Sequence, residues 1–231
     1  MDYYIISLAC IPVLIFTIIA SIRVKSTFNK YHKVASRRNM TGAEAARRVM
    51  LSKGVTDVTI RPIAGDLTDH YDPRDNSLNL SHDVYFGTSV AAIGVACHEA
   101  GHAIQYANAY FPIRIRASLI PITNFGARCS GLLIFGGLLL ASFGFTPLLF
   151  LAELGVLLFS FSTIFQLVTL PTEFNASKRA IQGIQESNIL ATDEVKSAKK
   201  VLTAAAMTYV AALAMSLLQL LRLIAIVNRR K

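Results

Sequence analysis

Apolar residues are concentrated in four long runs, separated by polar segments of very different length. The runs cover residues 3–22, 129–145, 148–170 and 201–227. Each is long enough, or nearly so, to cross about 30 Å of hydrocarbon at a rise of about 1.5 Å per residue. This pattern predicts a polytopic membrane protein with about four transmembrane helices.

The long polar segment after the first run combines helical and alternating patterns. "TGAEAARRVMLSKG" begins with Thr41 and Glu44 at the spacing of a capping box and ends at Gly54. "VTDVTIRPI" and "SLNLS" read as strands, and the turn-rich "GDLTDHYDPRDN" lies between them. A further helix follows, capped by Thr88 or Ser89, and opens on the apolar "VAAIGVA". The predicted fold class is α+β and mostly helical, with a short sheet.

Composition agrees with this fold class, and the distribution of charge predicts the orientation of the chain in the membrane. The chain has 231 residues, 53% of them apolar and 16% charged, outside the balance of a soluble globular protein. Its net charge is +9, and the basic residues cluster beside the apolar runs. The clusters are Arg23, Lys25, Lys30, Lys33, Arg37 and Arg38; Arg114, Arg116 and Arg128; and Lys178, Arg179, Lys196, Lys199 and Lys200. This distribution indicates a membrane orientation signal and no nucleic-acid partner.

The positive-inside rule puts the N-terminus outside and both large polar regions in the cytoplasm. The start Met1–Tyr4 has no basic stretch, so the first run is expected to be an uncleaved anchor. Arg222 and the tail from Arg229 to Lys231 would then lie at the outer side. Basic residues on the outer side would contradict the positive-inside rule. It therefore stays open whether the fourth run spans the membrane or is re-entrant.

The candidate chemistry lies in "VACHEAGHAIQYA". His98 and His102 are four residues apart, so on a helix both imidazoles project from one face and can bind one zinc ion (Zn²⁺). Glu99 beside them can take a proton from a water molecule that zinc activates. Cys97, adjacent to His98, points about 100° away on a helix and is expected to be a core residue. The pattern is typical of a zinc hydrolase.

A catalytic zinc needs a third protein ligand. No histidine follows His102, and Gln105 and Asn108 rule out the extended HExxHxxGxxH site. The downstream acids are Glu153, Glu173, Glu186, Asp193 and Glu194. Among them Glu173 is favoured, because two membrane crossings return it to the side of the histidines. The alternative is that Glu173 caps a helix beginning after Pro171.

Several segments together resemble a known family. "KSTFNKYHKV", "TGAEAARRV", "LTDHYDPR", "VACHEAGHAIQ" and "LPTEFNASKRA" are similar to the YugP-type neutral zinc metallopeptidases. These bacterial membrane proteins are related in site architecture to HtpX and the CAAX prenyl endopeptidases. The resemblance implies a gluzincin with His98, His102 and Glu173 as ligands and Glu99 as general base. Ser177 and Asn175 stand where related motifs carry Asp.

Two further functions are predicted for parts of the polar regions. The resemblance implies that "SLNLS" could be an edge strand that pairs with an extended substrate, although a strand that merely closes the sheet fits equally well. Candidates for stabilising the oxyanion, and hence for catalytic residues beside Glu99, are His70 and Tyr71, with Arg179 as a further one. For His70 and Tyr71 the alternative is a structural hydrogen bond to the backbone, and for Arg179 it is a contact with lipid phosphate.

The expected domain organisation follows from the runs. It comprises an anchor (1–22), a cytoplasmic zincin-like region (23–128), a transmembrane hairpin (129–170), a cytoplasmic helix with the third ligand (171–200), and a spanning or re-entrant segment with a basic tail (201–231).

The predicted function is a zinc metalloendopeptidase of the bacterial cytoplasmic membrane, with its active site facing the cytoplasm. Its partners would be the lipid bilayer and protein or peptide substrates that are unfolded or membrane-associated. Two alternatives stay open: an intramembrane zinc protease, and a scaffold that uses zinc only for structure. A di-iron enzyme is disfavoured, since the chain has five histidines and those sites need more.

Overall fold

The computed structural model describes residues 3–230 and contains four long helices. They are α1 (Tyr3–His32), α5 (Phe111–Ser142), α6 (Leu149–Glu186) and α7 (Thr192–Asn228). Within the described residues, these four are long and apolar enough to cross a membrane. The prediction of an α+β polytopic membrane protein is thus confirmed. The predictions on the Met1–Asp2 leader and on Lys231 lie outside the described residues.

The helices extend well beyond the apolar runs that predicted them. In particular, α6 continues through Pro171 without a break. The interpretation of Glu173 as the cap of a new helix is therefore wrong, because a proline marks a helix boundary often but not always. Likewise, α7 is one continuous helix of 37 residues, without the interruption that a re-entrant segment would need.

Contact density divides the chain into two units. The first comprises residues 3–19, 114–170 and 209–230 of the described chain. Its helices pack closely at small residues: a Cβ on Gly137 would lie 2.5 Å from the Ala152 nitrogen. A hydrogen bond of 2.8 Å joins the Thr163 and Ser216 hydroxyls across the same unit.

The second unit comprises residues 20–113 and 171–208 and contains the sheet and the shorter helices. The helices are α2 (Gly42–Ser52), α3 (His82–Tyr85) and α4 (Val90–Ala107). The predicted capping box of α2 is present, since Thr41 and Glu44 hydrogen-bond each other's backbone N–H. Ser89 caps α4 through the Ala92 N–H. The apolar faces of α2 and α4 enclose the main hydrophobic core with residues of the sheet.

The sheet has three strands among the described residues, in the order β1-β3-β2. They are β1 (Thr59–Ile63), β2 (His70–Asp72) and β3 (Ser77–Ser81). β1 pairs in parallel with β3, and β2 pairs antiparallel with it. Two expectations are wrong here: the segment read as a turn contains β2, and "SLNLS" is the central strand rather than an edge. Burial explains the second result, since all five β3 residues are buried and a buried central strand need not alternate.

Candidate metal centre

Helix α4 brings two imidazoles together because its histidines are separated by one turn. The ring centroids of His98 and His102 lie 4.9 Å apart, and the rings are nearly perpendicular. The helix is held in place by an almost fully buried first half, so the histidine face has a fixed orientation. Both side chains are largely buried, at 14% and 10% exposure.

Helix α6 supplies the third group at a point where it comes very close to α4. A Cβ on Gly101 would lie only 2.5 Å from the carbonyl oxygen of Ala176. Only a glycine at this position permits so close an approach without displacing backbone. Glu173, about one turn before Ala176 on α6, is 2% exposed and faces the histidines.

The three side chains converge on one point. The Glu173 Oε2 atom lies 3.2 Å from His98 Nε2 and 3.5 Å from His102 Nε2. One ligand atom from each residue lies within 4.8 Å of the others. Bonds of about 2.0–2.1 Å to a tetrahedral zinc place two ligand atoms about 3.3 Å apart, so the two contacts with Glu173 match a shared metal. The donor set of two imidazoles and one carboxylate also fits zinc.

Gln105 determines which nitrogen of His102 carries the proton. Its Nε2 donates to the Thr172 carbonyl at 2.8 Å and to Asn175 Oδ1 at 3.0 Å. The amide oxygen must therefore face His102 Nδ1, which lies 2.9 Å away. Since that oxygen only accepts, Nδ1 carries the hydrogen, and the Nε2 lone pair is left for a metal. Arg179 fixes the network by donating to Asn175 at 2.7 Å.

Ser177 has the same function for His98. Its hydroxyl lies 3.1 Å from His98 Nδ1 and can accept that proton, which leaves Nε2 free. Ser177 and Asn175 thus replace the expected aspartates with neutral partners. Gln105, which in the sequence served only to exclude an extended site, is an additional site residue. Its position three residues after His102, on the same helix face, is the signal that could have identified it.

Glu99 lies at the junction between α4 and the edge strand β2. Its Oε2 accepts a hydrogen bond of 3.2 Å from the Tyr71 backbone N–H. Burial raises the pKa of Glu99 to about 7; the charges of Glu173 and Asp69 act in the same direction, and His98 opposes them. A carboxyl group with a pKa near neutrality can both accept and return a proton.

The side chains of the other predicted catalytic residues, Tyr71 and His70, make their contacts elsewhere in the unit. The Tyr71 hydroxyl donates to Asn76 Oδ1 at 2.6 Å, and its ring packs on Tyr106. His70 is exposed, and it pairs with Asn79 on the sheet face opposite to Tyr71 and Leu78. Neither side chain has a hydrogen bond to the three candidate ligands within the described part of the chain.

The contacts of Arg179 and Cys97 favour a structural function for both residues. The Arg179 guanidinium stacks over the Tyr110 ring at 5.7 Å, in addition to its bond with Asn175. Cys97 is a free, fully buried cysteine, and burial raises the pKa of its thiol. An uncharged thiol in the core is a poor metal ligand, which agrees with the expected packing function.

The chain is similar to proteins described as zinc metallopeptidases and membrane proteases. A family model described as "Putative neutral zinc metallopeptidase" matches residues 5–228. The chain is 46% identical over 207 residues to a protein of Bacillus subtilis (strain 168) named "Putative membrane protease YugP". That alignment covers 90% of this chain and 89% of the relative. No solved structure gives a significant match.

Proposed function

This chain belongs to the family of neutral zinc metallopeptidases, and on that premise we propose that it is a membrane-embedded zinc endopeptidase of the gluzincin type. His98, His102 and Glu173 are the zinc ligands in this proposal, and Glu99 is the general base. Peptide-bond hydrolysis is inferred from the family, and the assignment of residues from the site.

One observation supports the ligand set most strongly. The Nε2 atoms of both histidines are directed at the same buried carboxylate oxygen, at 3.2 and 3.5 Å, while both Nδ1 atoms are hydrogen-bonded elsewhere. A hydrogen-bonded cluster without a metal would have no need for two histidines in this orientation. The arrangement leaves the fourth ligand position to solvent or substrate, as catalytic zinc sites do.

The chemistry divides between the metal and Glu99. When bound, zinc lowers the pKa of coordinated water to about 7 and polarises the scissile carbonyl. Glu99 accepts the proton of the attacking water and delivers it to the leaving nitrogen. The Tyr71 N–H holds one Glu99 oxygen at 3.2 Å and leaves the other to carry the proton.

Strand β2 is a suitable platform for an extended substrate. It lies at the edge of the sheet, and its Tyr71 N–H points away from β3 toward Glu99. The Tyr71 carbonyl points to the same open side and can accept a hydrogen bond from a substrate N–H. A substrate bound in this way must be extended, which favours unfolded or membrane-associated proteins.

The catalytic unit is proposed to face the cytoplasm of a bacterial cell. The support is the distribution of basic residues, which flank the apolar runs on the side of residues 23–128 and 171–200. Helix α4, which carries the motif, is not among the membrane-crossing candidates of the described chain.

The experiment that tests the proposal compares the purified full chain with Glu99→Gln and Glu173→Ala. Hydrolysis of an unfolded test protein and zinc per chain are measured in detergent. Glu99→Gln is expected to keep about one zinc and to lose activity by about two orders of magnitude or more, because general base catalysis contributes about 10²–10⁴-fold. Glu173→Ala is expected to lose zinc. Glu186→Gln, at an exposed site, is the charge-matched control.

Retention of activity in Glu99→Gln would contradict the assignment of the base. Equal zinc binding by Glu173→Ala and the unmodified chain would remove Glu173 from the ligand set. If the unmodified chain holds zinc but cleaves nothing, and cellular function survives Glu99→Gln, the chain is a zinc-stabilised scaffold.

A further inference from the structure

A basic groove lies between the C-terminal part of α1 and the N-terminal part of α7, entirely within the second unit. Its cavity is about 830 Å³, within the range of about 300–1,000 Å³ that is usual for small-ligand sites. Five cations line it, and no acidic residue does. They are Arg23, Lys30, Lys196, Lys199 and Lys200.

These five cations are not neutralised by neighbouring acids. Within residues 3–230, none of them forms a salt bridge, whereas Arg37 and Lys53 of the same unit are paired with Asp193 and Glu186. Lys30 has a contact with the Tyr31 ring at 5.6 Å, which leaves its charge in place. Uncompensated charges in a concave site reinforce one another and favour an anionic ligand.

The groove lies where the chain enters hydrocarbon. Arg23 follows the last residue of the first apolar run, and Lys200 precedes the first residue of the fourth run. The remaining lining includes Ala204 and Met207, which lie within that fourth run. The cations therefore form a rim at the level of lipid headgroups, and the groove continues toward the apolar side.

An apolar pocket adjoins the groove along α7. Its volume is about 410 Å³, and it lies between α6 and α7. Phe174, Ile181, Leu202 and Ala206 supply its apolar lining, and Lys199 and Thr203 line both the pocket and the groove. The two cavities together have a strongly cationic end and a mostly apolar end, at which Ser177, Lys178 and Gln182 add polar side chains.

We propose that the groove binds the phosphate headgroup of an anionic phospholipid whose acyl chain enters the adjoining apolar pocket. A soluble phosphate would match the cations but would leave the pocket without a ligand. An apolar peptide would fill the pocket but would leave five cations unpaired. An anionic lipid satisfies both ends, and its location at the membrane boundary fits a resident lipid.

The test uses the absence of tryptophan from the chain. Phe174→Trp places a single tryptophan in the apolar pocket of the full-length protein, reconstituted in phosphatidylcholine vesicles. Phosphatidylglycerol or phosphatidylcholine with brominated acyl chains is then added at equal mole fraction, and quenching is compared. Brominated phosphatidylglycerol is expected to quench more strongly, with a preference that decreases at high salt.

Two triple variants distinguish lipid binding in the groove from attraction by the general surface charge. Lys196→Gln/Lys199→Gln/Lys200→Gln is expected to lose on the order of 100-fold in affinity for phosphatidylglycerol, at roughly fivefold per lysine. Arg38→Gln/Arg47→Gln/Arg48→Gln removes the same charge from another surface and should keep the preference. If the lysine triple variant does not fold, as judged by circular dichroism, Lys200→Gln alone should lose about fivefold.

Equal quenching by the two lipids in the Phe174→Trp protein would overturn the proposal. So would an equal loss of preference in both triple variants, since the attraction would then be a property of the whole surface. Abolition of the preference by millimolar glycerol phosphate in solution would assign the groove to a soluble anion instead.

Discussion

Gln105 positions His102: its amide oxygen accepts from His102 Nδ1, and its amide nitrogen donates to the Thr172 carbonyl. Gln105→Leu removes the acceptor of the His102 Nδ1 proton and the amide donor to the Thr172 carbonyl. The loss of such a partner lowers metal affinity by about 10–100-fold, and this decrease in zinc affinity is expected here. Chelator competition measures it.

Two further variants show whether the hydrogen bond is the cause. Gln105→Glu keeps an acceptor for His102 but turns its second oxygen toward the Thr172 and Asn175 oxygens, so its zinc affinity should lie between those of Gln105→Leu and the unmodified chain. Gln182→Leu, at an exposed position, removes an amide from the same unit and should have no effect. Unchanged zinc affinity in Gln105→Leu would mean that Gln105 does not position His102.

The Tyr71 hydroxyl provides a second residue-level test, because the sequence predicted a catalytic function for this side chain. The hydroxyl donates to Asn76 at 2.6 Å, so Tyr71→Phe should cost about 1 kcal/mol of stability and change kcat by only a few-fold. A decrease in kcat of about 10²–10³-fold, with KM unchanged, would instead identify the hydroxyl as the oxyanion donor. His70→Gln serves as the parallel test for the other candidate.

At the level of elements, the contact between α4 and α6 determines whether the site can form. Gly101→Ala would bring a Cβ to 2.5 Å from the Ala176 carbonyl, and the helices must separate to admit it. The expected cost is about 1–3 kcal/mol, with a lower midpoint of thermal unfolding and weaker zinc binding. Both are measured on the purified chain in detergent.

Gly94→Ala on the same helix is the matched control. Its new Cβ would lie 3.6 Å from the Ala198 Cβ, an ordinary contact. Alanine in a helix interior is favoured over glycine by about 0.5–1 kcal/mol, so this variant should be neutral or slightly stabilised. Equal destabilisation by both substitutions would show that the close approach at Ala176 is not the cause.

At the level of the whole molecule, contacts within the first unit indicate on which side of the membrane the basic C-terminal tail lies. The Arg229 guanidinium lies 5.7 Å from the centroid of the Tyr4 ring, and Val227 packs with Leu149 and Ala152 near the start of α6. The two ends of the described chain therefore lie on the same side as the α5–α6 connection. If all four long helices cross the membrane, the two ends lie on the same side, as these contacts require. If α7 did not cross, the ends would lie on opposite sides.

A topology reporter tests this directly. A phosphatase that is active only outside the cytoplasm, fused at the C-terminus, should be active despite the basic tail. The same fusion after Asn188, in the connection between α6 and α7, should be silent. Silence of both fusions would mean that α7 does not cross and that positive charge retains the tail inside.

The class of the protein and the candidate metal-binding motif could be predicted from local patterns in the chain. Long apolar runs specify spans because backbone in hydrocarbon must satisfy its own hydrogen bonds. The His98/His102 spacing specifies a shared face because helical geometry is local. The capping box at Thr41 and the cap at Ser89 were readable for the same reason, since each depends on residues within one turn.

Features that depend on residues distant in the chain became visible only in the folded molecule. The fold brought Glu173 to the histidines across 75 and 71 positions, and it joined Gln105 to Thr172. It made "SLNLS" the central strand and His70–Asp72 the edge, because pairing depends on which strands meet and not on their own pattern. It also continued α6 through Pro171, so that Glu173 and Ala176 lie against α4 on the same helix.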